Sequence, residues 1–192
     1  MQITVPLQLE TSRLLLRQFK HEDWPAMHAH FSDIECTQHT FGRALTEGES
    51  WRAMASIVGH WSLRGYGPYA VQDKSSGVVL GSVGLWYPND WPEPEIKWAL
   101  TRQFWGRGFA SEAVRAVQAM ALVYAAQLRL ISFIKAINTP SILLAKSVGA
   151  TLEQEREFRG ANWLLFRHPS SAKQNAQNCV LNSSSANANP LS

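Results

Sequence analysis

Gln103-Phe104-Trp105-Gly106-Arg107-Gly108-Phe109-Ala110-Ser111-Glu112-Ala113 is the stretch that decides the reading of this chain. Before it, Ile96-Lys97-Trp98-Ala99-Leu100 is a short, mostly apolar run that suits a strand. After it, Ser111 to Leu128 reads as an amphipathic helix. Ala113, Val117, Met120, Tyr124 and Leu128 fall on one stripe, and Glu112, Arg115 and Gln118 on another face. Gly106 and Gly108 permit a tight turn and a close approach of backbone to ligand. The helix start behind them offers unpaired N–H groups and the positive end of the helix dipole. Together these suit a phosphate or pyrophosphate, with Arg102 and Arg107 available for charge-assisted contacts. A loop that merely needs glycines is the alternative. A dinucleotide fingerprint does not fit: counted from Gly106, the third glycine position is Ser111, and no acidic residue ends a following strand.

Working outward, Arg13-Leu14-Leu15-Leu16-Arg17 predicts a strand, and Asp23-Trp24-Pro25 predicts the start of a helix. Thr46-Glu47-Gly48-Glu49 has the form of a capping box. Behind it Trp51, Met54, Ala55, Val58 and Trp61 recur at helical spacing up to Gly65-Tyr66-Gly67-Pro68. Tyr69–Gln72 and Val78–Val83, joined by Asp73–Gly77, read as a hairpin. Leu130–Ile134 predicts a strand. A short helix follows, capped by Thr139, with Pro140 in its first turn and Gly149 after its end. Trp163–Phe166 predicts a last strand. The order gives a mixed α/β fold in one domain.

The chain has 192 residues, with 18 Lys+Arg against 15 Asp+Glu, 45% hydrophobic and 17% charged residues. That supports a packed core and argues against global disorder. No Lys/Arg cluster accompanies the net charge of +3, so no nucleic-acid groove is expected. No apolar run is long enough to span a membrane, and no secretory signal is visible, so a reducing cytoplasm is the expected setting. Residues 169–192 hold six Ser, five Asn and a single charged residue, Lys173, and read as a flexible polar tail behind a folded unit over residues 1–168. The six histidines and two cysteines show no metal-ligand spacing, so no metal is expected.

Gln103-x-x-Gly106-x-Gly108 resembles the Q/R-x-x-G-x-G/A signature of the GCN5-related N-acetyltransferases, and four further segments agree in order and spacing. Leu9-Glu10-Thr11-Ser12-Arg13-Leu14-Leu15-Leu16-Arg17 resembles the first strand of the branch that acetylates ribosomal-protein N-termini. Glu95–Leu100 resembles that branch's fourth strand, and Tyr124–Ile131 its passage from helix to strand. Asn138-Thr139-Pro140-Ser141, leading to Lys146-Ser147-Val148-Gly149-Ala150, resembles its N-x-x-S … K-x-x-G-F/A ending.

The resemblance covers about residues 9–167. It implies a mixed central sheet flanked by helices, with two parallel strands splayed around acetyl-CoA, which serves as the acyl-donor substrate. By position, Gln103, Trp105, Gly106, Arg107 and Gly108, with Ala110 and Ser111, would hold the pyrophosphate. Trp98, Ala99 and Leu100 would pair with the pantetheine arm, and Asn138 would contact the CoA arm. An ordinary cap before Pro140 is the local reading of Asn138, and Ser141 reads as a helix-start residue.

The implied reaction is direct attack of an amine on the thioester. An amine of pKa roughly 8 to 10 must first lose a proton, and the developing oxyanion needs a donor such as a strand N–H. Glu95 matches a position where some members place the base; a solvated carboxylate or a substrate-orienting group is the alternative. The family often has glycine-tyrosine where this chain has Lys97-Trp98. No tyrosine stands where other members place a thiolate-protonating acid, and Tyr124 reads as packing.

On the acceptor side, Trp86–Glu95 is a proline-stiffened loop whose Asp90, Glu93, Glu95, Trp86 and Trp91 would attract a protonated amine. A surface turn over packed aromatics is its plainer reading. Phe31, Phe41 and Trp51 would form the opposite wall. The implied partner is a peptide N-terminus or small amine, and a homodimer is compatible with the fold. A non-catalytic acyl-CoA-binding or regulatory module is the principal alternative, and a nucleotide-binding oxidoreductase a more distant one.

Overall fold

Leu14 and Leu16 are fully buried while Leu15 and Arg17 are half-exposed, an alternation that fixes a strand with one face on the core. The computed structural model describes residues 3–170, so the Ser/Asn-rich stretch expected to be a tail falls almost wholly outside the described residues. In chain order the elements are β1 (Gln8–Glu10), β2 (Leu14–Arg17), α1 (Trp24–Phe31), α2 (Ile34–Thr37), α3 (Glu47–Arg64), β3 (Pro68–Asp73), β4 (Val79–Trp86), β5 (Glu95–Leu100), α4 (Phe109–Tyr124), β6 (Ile131–Lys135), α5 (Thr139–Ser147), β7 (Thr151–Phe158) and β8 (Ala161–Arg167). They form an eight-stranded sheet in the order β1-β2-β3-β4-β5-β6-β8-β7. β5 and β6 run parallel, and the other neighbours are antiparallel.

α4 lays Phe109, Ala113, Val114, Val117, Met120 and Ala121 onto the sheet, within a core that includes Leu14, Leu16, Leu80, Leu85, Ile96 and Leu100. A smaller cluster of Met27, Phe31, Leu45 and Met54 ties α1 to α3. The capping box at Thr46 forms as expected: the Thr46 hydroxyl accepts from Glu49 N–H, and the Glu49 carboxylate accepts from Thr46 N–H.

Several expectations shift. α4 runs from Phe109 to Tyr124 instead of from Ser111 to Leu128, because Gly108 in the left-handed region (φ 77°) starts it and Ala125 (φ −139°) stops it. Tyr124 is half-exposed at that end and does not serve as packing. The buried stripe of α3 is Ser50, Met54, Ile57, His60 and Trp61, rotated so that Trp51 and Val58 face solvent. Polar Ser50 and His60 can occupy it because Ser50 bonds His28 and His60 bonds backbone. Asn138, not Thr139, caps α5. The segment Leu9–Arg17 is a hairpin turned at Thr11–Arg13, not one strand.

The sheet opens between β5 and β6. Their ladder has a single registered pair, Glu95 with Ile131, and Trp98, Ala99 and Leu100 have no partner on β6. Two side chains replace the ladder where it stops. Ser132 Oγ donates to the Ile96 carbonyl at 2.7 Å, and Phe133 N–H donates to Glu95 Oε2 at 3.2 Å. On the other side of β5, Gly81 of β4 sits at a register shift with φ 145°, and a Cβ there would collide with the Ala99 carbonyl.

Candidate active site

The end of β5 turns through a single 3-10 turn (Arg102–Phe104) into the glycine loop. Trp105 Nε1 donates to the Leu100 carbonyl at 2.6 Å, pinning the loop to the strand. Gly106 and Gly108 both have positive φ, 71° and 77°. A Cβ on Gly106 would meet nothing within 4 Å, so its backbone faces open space. The N–H groups of Phe109, Ala110 and Ser111 then begin α4 without intrahelical partners. An anion docked here meets peptide hydrogens and the positive end of a helix 16 residues long.

This loop is braced from behind by residues that the sequence reading assigned to a strand. The Glu112 carboxylate accepts from Thr11 Oγ1 at 2.5 Å, Ser12 Oγ at 3.2 Å, Arg13 N–H at 3.0 Å and Arg13 Nε at 2.6 Å. Burial alone would raise its pKa, but the donors from Thr11 and Arg13 outweigh burial and hold it down to about 2. The Arg13 guanidinium lies over the Phe109 ring at 4.5 Å and donates to the Arg107 carbonyl at 3.1 Å. The signal for this brace, a T-S-R turn plus a glutamate in the first helical turn, is visible in the sequence. What the sequence alone does not reveal is that the two segments meet.

Arg102, expected to add charge at the loop, instead pairs with Asp33 at the start of α2. Arg107 lies over Phe109 from 5.1 Å and is exposed. Gln103 and Trp105 are also exposed. Across the opening, the Asn138 side chain accepts Ser141 N–H at 3.3 Å as the cap of α5. Trp98 Nε1 donates to Ser141 Oγ at 3.2 Å, so its ring spans from β5 to α5.

Glu95 lies at the point where β5 and β6 part. It is 4% exposed. Burial pushes its pKa up to about 7, against the opposing pull of Lys97, the Phe133 N–H and the Trp91 indole. The indole makes no hydrogen bond of ordinary geometry with it. A carboxyl group poised near neutrality can take a proton and release it again. On the same face of β5, Lys97 is enclosed, and burial lowers its pKa.

The loop before Glu95 does not attract cations as expected. Asp90 pairs with Arg159, and Glu93 takes a two-pronged contact from Arg167 at 2.7 and 2.8 Å. Trp91 packs edge-on against Phe133, Phe158 and Trp163. The plainer reading of a turn over packed aromatics is the one that holds. Trp86 does face an ammonium, that of Lys97, at 5.1 Å. On the opposite wall Phe31 is buried, Phe41 is half-exposed and Trp51 points to solvent.

A splayed parallel pair lies beside a glycine loop at a helix start, and a family model described as an acetyltransferase (GNAT) domain matches residues 13–151. The chain belongs to the GNAT acetyltransferase family. The enzyme class follows as N-acetyltransferase. An uncharacterized N-acetyltransferase, p20 of Bacillus licheniformis, is 30% identical over 142 residues, 73% of this chain and 80% of that protein. The crystal structure of an acetyltransferase from Agrobacterium tumefaciens strain C58 superposes with TM-score 0.76 at 25% identity, covering 88% of this chain and 98% of the other. A ribosomal L7/L12 α-N-protein acetyltransferase, RimL, solved in complex with coenzyme A, shares the fold with TM-score 0.67 at 16% identity, covering 88% and 98% of the two chains. Among the described residues no cluster of His, Cys, Asp or Glu could hold a metal ion, and no helix is long and apolar enough to cross a membrane.

Proposed function

We propose that this GNAT protein transfers an acetyl group from acetyl-CoA to a primary amine, of a peptide N-terminus or a small molecule, by direct attack on the thioester. One observation carries the reading: the β5–β6 ladder stops after Glu95, which leaves Trp98–Leu100 unpartnered on β6 and leading straight into the open glycine loop. An extended pantetheine arm fits such an edge as an added strand. Gln103, Trp105, Gly106, Arg107, Gly108, Ala110 and Ser111 then receive the pyrophosphate. Asn138, whose carbonyl oxygen caps α5, retains its amide N–H groups for the arm.

In this reading Glu95 is the base. Its carboxylate accepts the amine proton directly or through water, held in place by Phe133 N–H. A backbone N–H of β5 stabilises the developing oxyanion, and the thiolate leaves to take its proton from solvent. Residues 1–168 form the catalytic domain, and a cytoplasmic setting suits Cys36, whose burial pushes its thiol up to about 11.

The test is an amine panel with acetyl-CoA, scored by free thiol release, with peptides, aminoglycoside-type amines and polyamines compared. Turnover that Glu95→Gln abolishes while coenzyme A affinity persists supports the enzyme reading. Coenzyme A binding without turnover on any amine would favour the non-catalytic binding module instead.

A further inference from the structure

The face of β5 that carries Glu95 carries a second ionisable group, Lys97, about 7 Å further along the strand. Its ammonium sits over the Trp86 ring at 5.1 Å. Trp86 in turn stacks on His60 with centroids 4.7 Å apart. His60 is fixed as a neutral ring: one nitrogen bonds the Tyr66 carbonyl at 2.8 Å, and the other accepts Tyr87 N–H at 2.9 Å. From α1 comes His30, 3% exposed, with Nδ1 lacking any partner, close enough to Lys97 for the lysine charge to disfavour its protonation.

Residues of α1, α3, β4 and β5 therefore surround this ammonium; the Glu95 carboxylate acts on it through charge, but no anionic oxygen reaches it in a hydrogen bond or ion pair. Among the described residues Lys97 makes no hydrogen bond or ion pair, and the Glu95 carboxyl is engaged by Phe133 N–H. An enclosed cation without an acceptor is costly, and an aromatic face compensates only in part. Lys97 nevertheless keeps a partial opening to solvent. The arrangement lacks one component, an anionic oxygen in direct contact with the ammonium, and it lies one same-face step from both Glu95 and Ala99.

We propose that Lys97 is a specificity residue that receives a carboxylate of the acceptor, so that the substrate is a small amine bearing a carboxylate a few bonds from the nitrogen, as in an amino acid. This rests on the acetyl-transfer reading above. A polyamine, cationic throughout, is rejected by the same lysine.

The experiment compares amino acids, their carboxamides and the matched decarboxylated amines as acceptors, using wild type, Lys97→Met and Lys97→Arg. The acids should exceed their carboxamides in kcat/KM by about tenfold or more in wild type and Lys97→Arg, and that ratio should fall close to one in Lys97→Met. Carboxamides that match or exceed the acids, or a ratio unchanged in Lys97→Met, would overturn the proposal. Calorimetry provides an arm independent of turnover: N-acetylated acids and N-acetylated carboxamides are titrated into each protein in the presence of coenzyme A. Tighter binding of the acid that disappears in Lys97→Met supports the assignment even if every amine fails in the assay, an outcome that would count against acetyl transfer alone. Equal binding of acid and carboxamide refutes it. Should Lys97→Met fold poorly by circular dichroism, Lys97→Gln takes its place in both arms.

Discussion

Glu95 is asked to do two things that pull in opposite directions. It must be ionised to take a proton, yet it is buried where ionisation is disfavoured, with its pKa raised to about 7. Activity should therefore rise with pH through about 7 and level off above it, and Glu95→Gln should lose both this limb and about 10²–10⁴-fold in kcat. Stability should move the other way. Because the folded state binds this proton more tightly than the unfolded chain, the favourable contribution is complete below pH 4.5 and is lost as pH rises through about 7. Glu95→Gln, which retains an acceptor for Phe133 N–H, should accordingly melt higher than wild type at pH 8.5 and show a smaller advantage at pH 5. An advantage that does not grow with pH would mean that the carboxylate is stabilised in some way the fold does not reveal.

At the scale of elements, the glycine loop depends on the hairpin behind it. Glu112→Ala removes the acceptor of Thr11, Ser12 and Arg13, frees the Arg13 guanidinium and loosens the Arg107 carbonyl. We expect coenzyme A affinity to fall about tenfold, a loss of about 1–3 kcal/mol in stability, and a smaller change in kcat at saturation. Equilibrium dialysis alongside steady-state kinetics separates these effects, and an unchanged dissociation constant would show that the loop holds its shape unaided. A second dependence is Gly81, whose missing side chain lets β4 approach the Ala99 carbonyl. Gly81→Ala must displace β5 at the pantetheine edge or unfold it, at a cost of about 1–3 kcal/mol from its φ alone, read as a lower urea midpoint.

The elements also show what could be read in advance. The helix behind Gly108, the capping box at Thr46 and the Asp73–Gly77 hairpin turn were legible because each is fixed by residues adjacent in sequence. β7 was not. Its T-L-E-Q-E-R-E-F is exposed along almost its whole length and has no apolar alternation; only pairing with β8 makes it a strand. The candidate site divides the same way. The loop announced itself by its glycines, whereas the neutralisation of Asp90 and Glu93 by Arg159 and Arg167 depends on contacts more than 60 residues apart in sequence and cannot be read from local spacing.

Across the whole molecule, buried histidines set the acid limit. His168 lies where α4, β6 and the end of β8 meet: Gln118 Nε2 contacts its Nδ1 at 2.9 Å, and its Nε2 contacts Ser132 Oγ, the same hydroxyl that bridges β6 to Ile96. Ser132 donates to Ile96, so His168 must donate from Nε2 and accept at Nδ1, a neutral ring with no room for a second proton. Burial lowers the pKa of His168, and likewise of His30, to about 4. The unfolded rings titrate near 6.5, so the unfolded chain takes up protons that the folded one refuses, and stability present above pH 6.5 drains away as pH falls towards 4, by up to about 3 kcal/mol per ring. Glu95 opposes this over part of the range, since its folded form prefers the proton between about 4.5 and 7, but one carboxyl does not offset several rings, for burial lowers His60 and His39 as well. The urea midpoint should therefore hold near neutrality and decline steadily below pH 6.5. His168→Gln should flatten part of that decline while lowering the midpoint at pH 7 through the disturbed Gln118 and Ser132 bonds. A variant as acid-sensitive as wild type would place the titrating groups elsewhere, and the seam that joins Ser132 to Ile96 would then not be what acid opens.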